Sequence, residues 1–332
     1  SLHDALPICD YVHALAEAFG DRVDTWTTLN EPWCAAYLGY GNGIHAPGVR
    51  DYGKALSAVH HLNLAHGLGA LAVHDTLGER AKVSVTLNLS ACVAQSDSEA
   101  DRMAKHRNDL LSNEVFLGPM LDGAYDPEIF DVTTDYTDWS FIRDDDLKTI
   151  RQPVQCLGIN YYSSTHVKGV TDPAECERRR NDHMQAVPAQ DIVDALPPEG
   201  ELTDMGWNQE PRVLTEMLVG LAKRYPGLDL MVTENGSAWK DEVTEDSSAP
   251  GGRIIHDPKR VAYLNHHIRA IADAIEAGVP VVGYFAWSLL DNFEWAFGYS
   301  KRFGIIGVDY ETQKRIWKDS AYRYRQIIQE GI

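Results

Sequence analysis

A strand that has to stop at a carboxylate sets the frame for this chain. Residues 23–28 are β-branched and aromatic, and they lead straight into Leu29-Asn30-Glu31-Pro32-Trp33. Pro32 cannot donate to a ladder, so the strand ends there and leaves Asn30 and Glu31 at its C-terminal tip. About two hundred residues later, 228–232 runs into Thr233-Glu234-Asn235-Gly236. The arrangement repeats: an apolar strand, a carboxylate beside an asparagine, then a breaker. In parallel α/β architectures chemistry gathers at the C-terminal ends of strands, and a facing pair of carboxyl groups is the equipment for cutting a glycosidic bond.

Periodicity places the rest around these two strands. Apolar residues at helical spacing predict helices over 10–19, 52–77, 98–117, 210–223, 257–277 and 319–328. In the helix over 257–277, Asp257 is the expected cap, Pro258 takes the first turn and Gly278 closes it. Its apolar positions are Val261, Leu264, Ile268, Ile271 and Ile275. Strands are predicted over 82–89, 154–162 and 281–288, and a Gly-rich loop follows Trp33. Five strands alternating with helices imply parallel βα units and a single domain over 1–332. Residues 1–8 extend no pattern and are set aside as a non-native or disordered leader. The long connections 163–208 and 237–256 are expected to wall a site at the strand ends.

Composition narrows the partners. A net charge of -19 argues against nucleic acid or an anionic membrane surface. No apolar run is long enough to span a membrane. Five cysteines are scattered without a CxxC pair, and residues 1–8 lack the features of a secretory signal; both fit a reducing, cytoplasmic setting.

Taken together the motifs resemble glycoside hydrolase family 1, the retaining β-glucosidases and β-galactosidases. The matching stretches are Thr28-Leu29-Asn30-Glu31-Pro32, Leu157-Gly158-Ile159-Asn160-Tyr161-Tyr162, Val232-Thr233-Glu234-Asn235-Gly236 and Trp287-Ser288-Leu289-Leu290-Asp291-Asn292-Phe293-Glu294-Trp295. The last continues into Gly298-Tyr299-Ser300-Lys301-Arg302-Phe303-Gly304, and Thr203-Asp204-Met205-Gly206-Trp207 is a lesser match in the expected order.

The resemblance implies a TIM (β/α)8-type barrel and a role for each matching position. Glu31 becomes the general acid/base and Asn30 bonds the sugar's 2-hydroxyl. Glu234 becomes the nucleophile, held by a hydrogen bond from Tyr162. Glu294 and Trp295 bind hydroxyls at the far edge of the glycone, and Trp287 is its stacking floor. Asn160 and Phe303 join the substrate-binding set, while Trp33, like Trp207, is either an aglycone contact or packing under a loop. The family's phospho-sugar enzymes carry Ser and basic residues where Glu294 stands, so an unphosphorylated sugar is implied. No cofactor or metal is expected.

One departure from the family pattern carries expectations of its own. The Asn-Glu-Pro segment ends the fourth family strand, yet here it is reached at residue 30. The expected architecture is therefore an incomplete barrel of about five βα units, strands four to eight. The earlier units' Gln, Arg, His and Trp, which hold the glycone and nucleophile, are missing with them. Such a barrel exposes edges and apolar interior, which predicts a homo-oligomer covering the open side. The expected function is a retaining exo-β-glycosidase, foremost a β-glucosidase. The alternative is an inactive or very weak relic that binds sugar or serves in assembly.

Several other features read as structural. His60, His61, His66 and His74 are surface or helix-packing residues, and Asp144-Asp145-Asp146 starts a solvated helix. Arg178-Arg179-Arg180 is an exposed loop run, and Tyr161 is a packing residue. Cys34 stands near the site, with nothing beside it in sequence that suggests an activated thiol.

Overall fold

The computed structural model describes residues 2–79, 81–180, 182 and 185–331, with backbone alone at 2–6. The chain divides into two compact units, Ser1–Gly158 with Thr165–Leu196, and Ile159–Ser164 with Pro197–Ile332. Strands are β1 (Thr25–Asn30), β2 (Lys82–Leu87), β3 (Cys156–Asn160), β4 (Asp229–Asn235) and β5 (Val281–Ala286), besides short ones given below by their ranges. Strand β3 is shared, its first residues counted with one unit and Ile159-Asn160 with the other.

In the first unit the strand order is β1-β2-β3, with β1 and β2 parallel. Every β2 residue after Lys82 is buried, as a strand covered on both faces requires. Helix Tyr52–Leu77 supplies the cover: Asp51 caps it by accepting from the Lys54 amide at 3.0 Å. Its Ala70 and Val73 pack with Val83, Val12 and Trp26. The helix expected from Asp10 starts at Leu2, with Pro7 inside it. The Gly-rich stretch after Trp33 is a loop only from Asn42 onward, where Gly43 and Gly48 take positive φ. Cys34–Gly41 winds as a wide π-helical segment, and its glycines serve contact rather than turning. A Cβ on Gly41 would stand 2.2 Å from the Ala186 carbonyl oxygen.

Polar groups drawn into this unit correct two expectations. Asp146 opens the helix Asp146–Ile150, yet it is buried, 2.9 Å from the Nε2 of a wholly buried His60. A carboxylate is retained there because the imidazole needs a partner out of water. The arginine run is exposed at Arg178 and Arg180, as expected, but it is not a loop. It closes the helix Pro173–Arg180, with Arg179 bonded to Glu175 at 2.7 Å and Asp194 at 2.8 Å, and Arg180 to Asp191 at 2.9 Å. That helix belongs to a connection also carrying strands Thr165–Gly169 and Val193–Ala195, which form a small sheet with Cys92–Ala94.

In the second unit the order is β3-β4-β5, with β4 and β5 parallel. Helices Pro211–Arg224, Pro258–Glu276 and Asp319–Glu330 accompany them. Leu264 and Ile268 pack with Ile305, Ala321 and Tyr284. The buried face of Pro258–Glu276 is rotated from the apolar stripe: Arg260, Tyr263 and His267 are inside, while Ile275 is half exposed. Asp257 does not cap this helix by a side-chain bond. Its carboxylate is taken instead by Arg260 and by the amide and hydroxyl of Ser320, at 2.9 and 2.5 Å. The connection over 237–256 holds strands Val243–Glu245 and Arg253–Ile255, which join Arg315–Lys318 and Ile306–Val308 in a four-stranded sheet. Among the described residues, no helix is long and apolar enough to cross a membrane.

Candidate active site

Each carboxylate strand is interrupted where its glutamate comes up. From Thr27 to Asn30, β1 takes three steps while its partner β2 takes two, from Ser84 to Thr86. From Val232 to Asn235, β4 takes three steps while β5 takes two, from Tyr284 to Ala286. One extra residue reverses which face the following side chains address and sharpens the local twist. The sequence shows the strand ends but not these bulges.

In the first unit Glu31 sits at a corner. Its φ of +49° is left-handed for a residue with a Cβ, a conformation that costs on the order of 1–3 kcal/mol. Two backbone bonds impose it: the Glu31 amide donates to the Thr86 carbonyl and the Cys34 amide donates to the Glu31 carbonyl, each at 3.0 Å. The side chain is half-buried, and Asn30 beside it is exposed. The Cys34 thiol donates to Glu31 Oε2 at 3.1 Å, while Asn88 Nδ2 lies 3.5 Å from the same sulfur. That contact was missed in sequence because it spans one helical turn beyond Pro32. Trp33 is half-buried and meets Tyr37 edge-on, ring centroids 5.6 Å apart.

In the second unit the Tyr162 hydroxyl donates to Glu234 Oε2 at 2.5 Å, a charge-assisted bond that favours the ionised carboxylate. Asn160 is buried, and its Oδ1 accepts from Thr233 Oγ1 at 2.7 Å. Tyr162 packs against Trp207 at 5.3 Å and Phe303 at 6.0 Å; Phe303 itself is buried. Tyr161 turns the other way, and its hydroxyl reaches the Glu210 carbonyl at 2.6 Å. Asn235 is fully buried, and its amide nitrogen donates to the Tyr161 carbonyl at 2.7 Å and to the Tyr263 hydroxyl at 3.1 Å. Tyr263 went unnoticed because the helix was read by its aliphatic residues alone.

The segment after β5 is anchored at both ends. The Trp287 amide donates to the Asn235 carbonyl at 2.9 Å, and Gly236 lies so close that a Cβ there would stand 1.8 Å from the Trp287 oxygen. Asp291 takes the amides of Gly304 and Val308 at 3.0 and 3.2 Å and the ammonium of Lys318 at 3.0 Å. Lys318 is wholly buried; burial and Arg260 hold its pKa below the usual lysine range, while Asp241 and Asp291 oppose that shift. Glu294 Oε2 accepts from Asn292 Nδ2 at 3.1 Å. Trp295 follows with φ +43° and stands 68% exposed.

Comparison with known proteins agrees with these motifs. The glycosyl hydrolase family 1 model matches residues 8–331. A bifunctional β-D-glucosidase/β-D-fucosidase from Bifidobacterium breve is 49% identical over 324 residues, covering 98% of this chain and 68% of that protein. β-Glucosidase A of Thermotoga maritima is 38% identical, covering 97% of this chain and 67% of its own. Among solved structures, a family 1 β-glucosidase from Exiguobacterium antarcticum superposes with a TM-score of 0.87 at 35% identity, over 98% of this chain and 68% of that one. The Thermotoga maritima β-glucosidase in complex with deoxynojirimycin also gives 0.87, at 36% identity, over 100% and 69%. The chain thus spans about two thirds of the length of these relatives. It belongs to glycosyl hydrolase family 1, a family of the TIM-barrel fold.

Proposed function

We propose that the chain is a retaining exo-β-glycosidase acting on unphosphorylated β-D-glucosides, with Glu234 as nucleophile and Glu31 as general acid/base. The observation that carries the reading is the Tyr162–Glu234 hydrogen bond at 2.5 Å. A phenol aimed at one carboxylate oxygen keeps that group ionised and leaves the other oxygen to attack. The relatives support the sugar: they are named β-glucosidases, one with β-fucosidase as a second activity.

In the first step a Glu234 oxygen bonds the anomeric carbon as the glycosidic C–O bond breaks, and the Glu31 proton passes to the leaving oxygen. In the second, the Glu31 carboxylate takes a proton from water; that water attacks the anomeric carbon, and the sugar leaves Glu234. The two displacements return the original anomeric configuration. Asn30 is assigned to the 2-hydroxyl, Trp287 to the sugar's C–H face, Glu294 and Trp295 to its far hydroxyls, and Asn160, Phe303 and Trp33 to the surrounding wall.

The five strands β1 to β5 correspond in this proposal to strands four to eight of the family barrel. A homo-oligomer belongs to the same proposal, because β5 ends the strand order and presents Val282 and Phe285 at 52% and 56% exposure.

Release of nitrophenol from aryl β-glucoside and β-galactoside, with Glu234→Gln purified beside the parent, tests the assignment. Turnover by the parent that disappears in the variant is the expected result. Equal residual activity in both, or none in either, would overturn it and favour a sugar-binding or assembly role.

A further inference from the structure

We propose that Tyr263 is a positioning residue for Glu234, acting through Asn235 and the Tyr162 backbone to fix the Tyr162–Glu234 hydrogen bond. The inference rests on the reading of Glu234 as nucleophile. Tyr263 lies wholly buried on the helix Pro258–Glu276. Its hydroxyl donates to the Tyr162 carbonyl at 2.9 Å and accepts from Asn235 Nδ2 at 3.1 Å. One phenol therefore ties together the residue that follows the nucleophile and the residue that holds it.

The rest of the cluster leaves little slack. Asn235 uses its second amide hydrogen on the Tyr161 carbonyl at 2.7 Å, and its Oδ1 accepts from the Tyr284 hydroxyl at 3.0 Å. The Tyr161 amide donates to the Glu234 carbonyl at 2.9 Å. All the hydrogen-bonding atoms of the Asn235 side chain are thus committed, as a fully buried amide requires. Behind Tyr263, the His267 ring lies nearly parallel at 3.8 Å, and its Nδ1 donates to the Tyr263 carbonyl at 2.9 Å. Burial pushes the Tyr263 phenol well above its ordinary range, so the hydroxyl keeps its proton and remains a donor.

A buried tyrosine needs one partner to satisfy its hydroxyl. Tyr263 has two, and they flank the same carboxylate. The phenol of Tyr162 is a long lever, so a small rotation of its backbone would carry its oxygen away from Glu234 Oε2. Pinning the carbonyl of Tyr162 removes that rotation, and pinning Asn235 fixes the strand end from which Glu234 projects.

A double-mutant cycle separates this role from ordinary packing. The parent, Tyr263→Phe, Tyr162→Phe and the double variant are compared by kcat/KM on 4-nitrophenyl β-glucoside. Tyr263→Phe is expected to lower kcat/KM about tenfold in the parent, the size of one ordinary hydrogen bond. In the Tyr162→Phe background the loss should shrink to under about twofold, because the bond being positioned is already gone. The same factor in both backgrounds, or no loss in the parent, would overturn the proposal. A parent without turnover would overturn the nucleophile assignment and this inference with it. Should Tyr263→Phe fail to fold, Tyr284→Phe, which releases Asn235 Oδ1 and loosens the amide that Tyr263 holds, is cycled against Tyr162→Phe; the same factor in both backgrounds would overturn the positioning route through Asn235.

Discussion

Lowering the pH from 7 to 5 should weaken this protein through its buried histidines, and the shares of His66 and His267 can be isolated one at a time. His66 and His267 are wholly buried, and burial holds the pKa of each down to about 4 from an ordinary 6.5. The geometry gives the reason. Because His267 Nδ1 faces the Tyr263 carbonyl at 2.9 Å, it carries the hydrogen and Nε2 is left bare. His66 Nδ1 is 2.6 Å from the Thr28 hydroxyl, itself 3.2 Å from the Ser84 carbonyl. Among the described residues neither Nε2 has a hydrogen-bond partner, so protonation would place a charged N–H where nothing accepts it. With folded values below the unfolded one, the stability is complete above pH 6.5 and is lost as pH falls toward 4. At pH 5 each ring forfeits about 2 kcal/mol. Asp109 and Asp257, whose pKa values burial raises, work in the opposite direction. They are common to parent and variant and cancel in a difference. Urea unfolding of the parent, His66→Gln and His267→Gln at pH 7 and pH 5 therefore isolates the effect. Each variant should lose about 2 kcal/mol less than the parent over this interval. A variant with the parent's own pH dependence would refute the reasoning.

Two further outcomes follow from the site and from β5. Cys34→Ala removes the donor 3.1 Å from Glu31 Oε2. It should lower kcat/KM a few-fold on an unsubstituted phenyl β-glucoside, whose departure needs the proton, and under about twofold on a dinitrophenyl glucoside; equal losses on both would dismiss the contact as incidental. Sedimentation of the purified chain should give a species larger than 37.0 kDa, and a clean monomer that binds no hydrophobic dye would remove the oligomer from the proposal.

Long, strongly periodic segments were legible in the amino-acid order. The helix over 52–77 was found at its observed bounds, and the five strands to within a few residues, because apolar spacing over such lengths has few other solutions. The strands Cys92–Ala94, Val193–Ala195 and Val243–Glu245 were not legible. Three residues are too few to show an alternation. Buried charge was the other blind spot. Asp146, Asp257, Arg260 and Lys318 look like surface residues until a partner distant in sequence is placed beside them, as Asp291 is beside Lys318. At the site, the motifs marked Glu31, Glu234 and Tyr162, and the Tyr162–Glu234 pair is in contact. The contacts of Cys34 and Tyr263 needed a fold to reveal them.

The extra residue before Glu31 and the one around Glu234 make carboxylate placement a matter of parity. A substitution at Leu29 alters packing, whereas deleting it would restore an even register with β2 and send the following side chains through the sheet. On β4 the extra residue offsets one that β5 carries between Val281 and Gly283, so deleting Thr233 would leave that earlier shift uncompensated. Both carboxylates are thus sensitive to length in a way that they are not sensitive to identity. Their strands can drift in sequence while the count from strand core to glutamate cannot. Any redesign of these strands has to hold that count fixed.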